Sequence, residues 1–186
     1  MSEPMPLLAP FTPSKTDARL WNGTTFVNDP WSGLASRDLA DDALLPAEGR
    51  VVVAYSRWLA ERESLADRGE EFWISIPPGE PIDQDVGPFI NVGVVGLTFP
   101  KFSDGRAYSQ ALRLRQEYGY GGEIRACGDV LLDQIPLMLR CGIDAFEITD
   151  VATMAALGGD HIPALARTYQ TSVRGRRSYA GSRRSV

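Results

Sequence analysis

The chain has 186 residues, 44% of them hydrophobic, and a formal net charge of −5. That suits one globular unit of about 150 residues with flanking segments and a sizeable core. The amino-terminal stretch lacks a basic region and is broken by Pro4, Pro6 and Pro10, and no apolar run approaches the roughly 20 residues of a membrane helix; the expectation is a cytoplasmic protein with no membrane contact.

Charge is uneven along the chain. Arg174, Arg176, Arg177, Arg183 and Arg184 fall in the last thirteen residues with no acid among them, and the remainder carries 14 basic against 24 acidic residues, a net of −10. An acidic body does not suit nucleic acid, whose phosphates demand a basic surface. Residues 1–20, rich in proline and aperiodic, read as a flexible lead-in, residues 21–172 as one α/β domain, and residues 173–186 as a disordered Arg-rich tail. That tail is either a solvated end or a docking element for an acidic surface.

Trp21 to Val27 favours extension and turns at Asn28-Asp29-Pro30-Trp31, which predicts a short β arm. Val51 to Tyr55 is a compact apolar run typical of a strand buried on both faces, followed by a helix that Ser56 would cap and Gly69 would end, with Trp58, Leu59, Arg62 and Leu65 at helical spacing. Phe72 to Ile76 is a second strand, stopped by Pro77-Pro78-Gly79. One helical turn is expected near residues 82–86. Val92 to Phe99 is a third strand, whose Gly93 and Gly96 imply something packed closely on the sheet. Ser103-Asp104-Gly105-Arg106 opens a helix bearing Ala107, Tyr108, Ala111, Leu112 and Tyr118, and Glu123 to Cys127 is a fourth strand. Asp129 is placed to cap a short turn over 130–134, Pro136 should introduce a kink, and the helix resumes to Arg140. Asp144 to Ile148 is a fifth strand and residues 160–171 a closing helix. The alternation predicts an α/β fold with a largely parallel sheet of about five strands and flanking helices, either a Rossmann-like open sheet or a partial (β/α) barrel.

Ligands of parallel α/β folds bind beyond the carboxyl ends of strands, where loops meet helix amino termini. Two loops qualify, residues 99–106 and 127–129. Lys101, one of two lysines in the chain, stands there with Ser103, Gly105 and Arg106, a set suited to an oxyanion such as sulfate, sulfite, phosphate or a carboxylate. Gly128 and Gln134 would join them in binding. Asp104 and Asp129 are the candidate proton carriers. The same residues have a plain structural account, in which Asp104 and Asp129 cap helices, Gly105 permits a turn and the cations pair locally. Arg125, inside a strand, must meet solvent, a partner or an acid such as Glu147.

Cys127 and Cys141, with a single histidine at 161, are too sparse for a metal centre and read as small apolar residues. No dinucleotide turn, P-loop, nucleophile elbow or zinc-protease motif occurs, so neither a nicotinamide nor a flavin is indicated and no cofactor is expected.

The stretches Leu97-Thr98-Phe99-Pro100-Lys101-Phe102-Ser103-Asp104-Gly105-Arg106-Ala107-Tyr108-Ser109, Gly122 to Leu131, Asp133-Gln134 and Arg140 to Phe146 resemble the bacterial domain-of-unknown-function family 934. The resemblance spans roughly residues 21 to 170, and Val27, Asp29 and Trp31 look like its early motif. Pro136 stands where the family has large apolar residues. The family's genes commonly neighbour those of sulfite reductase and other sulfate-assimilation enzymes, and some members are labelled as oxidoreductases. The resemblance implies the context of assimilatory sulfate or sulfite reduction, and the expectation is an accessory, non-catalytic protein that docks on a sulfite- or phosphosulfate-reducing enzyme, with a small oxyanion as a further candidate ligand. The alternative is an enzyme acting on a small anionic substrate at the strand-end loops.

Overall fold

Three successive valines, Val51 to Val53, favour extended backbone because branching at Cβ restricts their side chains. In the computed structural model, which describes residues 18–32, 44–46, 48–66, 68, 72–82, 92–101 and 103–159, they form β3 (Val51–Ala54). Two short strands precede it, β1 (Arg19–Trp21) and β2 (Phe26–Val27). After it come α1 (Tyr55–Ala66), β4 (Phe72–Ile76), β5 (Val94–Phe99), α2 (Arg106–Gln116), β6 (Glu123–Gly128), α3 (Ile135–Arg140), β7 (Ala145–Ile148) and α4 (Val151–Gly158).

Among the described residues the sheet has seven strands in the order β2-β1-β7-β6-β5-β4-β3, where about five were expected. Strands β3 to β7 are parallel neighbours in sequence order, and the amino-terminal arm adds two antiparallel strands by pairing β1 with β7. The arm starts at Arg19, two residues before the expected boundary. A doubly wound sheet needs a reversal in strand order to place helices on both faces. None occurs from β3 to β7, and every described helix sends buried side chains into one cluster with residues of one face of the sheet: Trp58 of α1, Leu114 of α2, Met138 of α3 and Leu157 of α4 share it with Val53, Ile74, Leu97, Ile124 and Phe146.

The opposite face has its own small cluster, in which Trp31, Trp73 and Val94 pack with Val52 and Cys127. Here the expectation from Gly96 is met: a Cβ at that position would stand 3.1 Å from the indole of Trp73, so the bare backbone is what lets the ring lie flat on β5. At the amino end of the strands, partly buried Arg115 ties α2 to the sheet, donating to the carbonyls of Gly142 at 3.0 Å and Gly122 at 2.8 Å and to the carboxylate of Asp144. Asp144 in turn accepts from the amide of Ile124 at 3.1 Å.

Several local expectations are corrected. Tyr55 begins α1 instead of ending β3, so Ser56 lies within the helix and does not cap it. Residues 129–131 are irregular and 132–134 a turn, with no helix directly after Asp129 for it to cap, and Pro136 does not kink α3 but sits in its first turn. The first amides of a helix have no intrahelical acceptor, so a proline there forfeits nothing. Gln134 supplies the start instead, its carbonyl accepting from the amides of both Leu137 and Met138 at 3.0 Å. Helix α4 was not expected from the sequence, although its Asp150 accepts from the amide of Thr153 at 2.6 Å, an ordinary capping contact. The turn over 83–86, Gly69, His161, the helix over 160–171 and the Arg-rich tail lie outside the described residues.

Candidate functional site

The register of β5 on β6 decides whether the two proposed loops can share a site. Thr98 pairs with Cys127 and Phe99 with Gly128, so both strands end together and release residues 100–106 and 129–134 at one edge of the sheet. The chains stay joined one step further, because the amide of Asp129 donates to the carbonyl of Phe99 at 2.7 Å. That close approach requires Gly128: its φ is +100°, and a Cβ would lie 2.4 Å from the Phe99 oxygen.

Lys101, Ser103, Gly105, Arg106, Gly128 and Asp129 are exposed at this rim, and Lys101 makes no ion pair with another described residue. Half-buried Asp104 is engaged by Arg106, whose Nε and Nη2 donate to its two oxygens at 3.0 and 2.7 Å and whose amide donates at 3.2 Å. Hydrogen bonds from that side chain, and then from that amide, hold the Asp104 carboxyl at a pKa of about 2, well below the usual carboxylate range. A carboxylate so stabilised is a poor proton carrier near neutral pH. Gln134 is buried and turns its Oε1 back to accept from the amide of Leu131 at 3.2 Å. The amides of residues 129, 130 and 131 therefore all have acceptors within the protein, the second being the carbonyl of Gly128 at 3.1 Å. The structure brings all eight predicted residues to one edge, yet it shows Asp104, Arg106 and Gln134 serving local geometry. Two apolar side chains share the edge: Leu137 in the first turn of α3 and Val151 at the start of α4, 43% and 60% exposed.

A second polar constellation lies on the sheet face away from the helices. Arg125 of β6 is buried, and its Nε donates to Glu123 at 2.8 Å while Nη1 reaches Asp29 at 2.9 Å and Glu147 at 3.5 Å. Its guanidinium lies 4.9 Å from the ring centroid of Trp73. Burial alone would depress the pKa of Arg125, but the charges of Glu123 and Asp29 and their hydrogen bonds overcome it and hold the group above its ordinary value. The strand alternation made Glu147 a foreseeable partner. Asp29 was not, since it comes from a turn 96 positions away that is fixed by its own contacts: Trp31 donates its amide to Asp29 at 3.0 Å and packs on Trp73, and Arg50 stands over the Trp31 ring. The only hint in the sequence was an aspartate and a tryptophan flanking Pro30.

Cys141 is buried in the main core, which pushes its thiol pKa up, and Cys127 packs half-buried against the Trp31–Trp73 cluster; neither is in a disulfide. Among the described residues no three histidine, cysteine, aspartate or glutamate side chains come together in a way that could hold a metal ion, and no helix is long and apolar enough to cross a membrane.

No curated protein and no solved structure gives a significant match to the chain. Residues 74–180 match the family described as bacterial protein of unknown function (DUF934), a region that opens inside β4, leaves β1, β2, β3 and α1 ahead of it, and excludes the Val27, Asp29 and Trp31 that the resemblance had included. With more than half of its length matched, and with the strand-end loops and Arg125 inside the match, the chain belongs to this DUF934 family.

Proposed function

We propose that the protein is an accessory, non-catalytic component of assimilatory sulfate or sulfite reduction, which docks on a sulfite- or phosphosulfate-reducing enzyme through the carboxyl edge of its sheet. The sulfur context rests on the gene neighbourhood that the family resemblance implies. The docking reading rests on one observation: at that edge Asp104 and Gln134 are engaged by their own neighbours, while Leu137 and Val151 are open to solvent. Exposed apolar side chains beside charged ones suit a protein partner, whereas proton transfer needs a carboxyl group with a tuned pKa and a reachable substrate position.

The second reading, an enzyme for a small anionic substrate, is favoured by exposed Lys101 close to the amino end of α2, where the helix dipole attracts negative charge. Affinity purification of the full chain from cells grown on sulfate separates the two. Docking predicts recovery of a sulfite-reducing enzyme, lost in the double variant Leu137→Glu/Val151→Glu and retained in Lys101→Ala. Catalysis predicts turnover by the isolated protein that Lys101→Ala or Asp129→Asn abolishes with the fold intact. Normal growth of a deletion strain on sulfate as sole sulfur source would overturn the sulfur assignment in both forms.

A further inference from the structure

We draw no further inference here: the strongest candidate, the Arg125 cluster on the sheet face opposite the described helices, beside Asp29 and Trp31, carries nothing beyond a structural role, because its guanidinium is answered within the fold by Asp29, Glu123 and Glu147 and lies over the Trp73 ring, and nothing in the structure shows what would displace the 28–32 segment.

Discussion

The rim and the Arg125 cluster are both built around an arginine and aspartate, yet they are opposite kinds of polar site. At the rim, Arg106 and Asp104 are two positions apart in sequence, and the arginine side chain is 62% exposed. On the sheet face, Arg125 is 2% exposed and draws its acids from positions 29, 123 and 147. An exposed pair competes with water and contributes little to folding, whereas a buried cation without its acids is strongly unfavourable. Losing one member of the buried cluster is therefore expected to be costly, and losing the rim pair is not. Polar residues in a strand interior and polar residues in strand-end loops call for different default readings.

The harshest way to break this contrast is to remove the amino-terminal part of the buried side. A fragment confined to residues 74–180, the family-matched region, keeps the rim but loses β1, β3, α1, Asp29 and Trp31. It should show no cooperative thermal or urea transition and no dispersed amide spectrum, whereas 18–186 should retain both. A folded, cooperative fragment would mean that the amino-terminal third is an appendage and the Arg125 cluster dispensable.

Within the full chain, Arg125→Met strands three carboxylates around an apolar side chain. It should cost about 3–5 kcal/mol in urea denaturation, and adding Asp29→Asn and Glu147→Gln should restore part of the loss by removing the unpaired charge. A cost near the ~0.5 kcal/mol typical of surface pairs would erase the distinction between the two sites.

Gly128→Ala probes the rim's geometry rather than its charge. A side chain forced into positive φ and against the Phe99 carbonyl should destabilise by about 2 kcal/mol and raise the exchange rate of the Asp129 amide. Gly121→Ala, with no atom within 4 Å of the new methyl, serves as the matched control and should change stability little.

The smallest effect concerns pH. The Asp104 pKa falls from 3.8 to about 2 on folding, so whatever the Arg106 contact contributes is complete above about pH 4 and is lost as pH falls through about 2. Carbon-detected carboxyl titration should place the Asp104 midpoint near 2, and Arg106→Ala, which removes the side-chain contacts but keeps the amide, should raise it part of the way towards 3.8 with stability at pH 7 nearly unchanged. A midpoint that ignores the substitution would show that Arg106 does not engage Asp104 in solution.

The sequence was informative wherever structure is decided within a few residues. Val51–Val53 and Phe72–Ile76 are strands because each run is apolar enough to be buried, and Pro77-Pro78-Gly79 ends the second by removing donors and permitting a turn. The rim was legible for the same reason: strand ends and helix starts can be located locally, and parallel neighbours bring them to one edge. The pairing of distant segments escaped. Nothing in Arg19 to Trp21 specifies β7 as its neighbour, and nothing around Asp29 specifies Arg125; the first depends on which edge strand of the parallel sheet takes up the arm, the second on which face of the sheet lies opposite the described helices. Pro136 was misread because a proline's effect depends on whether it falls before or after the first turn, a matter of one or two residues.

The in-order arrangement of β3 to β7 has a kinetic corollary. Each strand from β4 onward can dock on one made shortly before it, so most of the sheet assembles through contacts between chain neighbours, with little loop to close at any step. The exception is β1, which leaves the ribosome first but joins β7, whose residues are synthesised more than a hundred positions later. The amino-terminal arm, whose β1 and β2 pair with each other, must therefore wait for its place in the sheet until β7 has been made, and its capture, together with the arrival of Asp29 at Arg125, is a natural late event of folding.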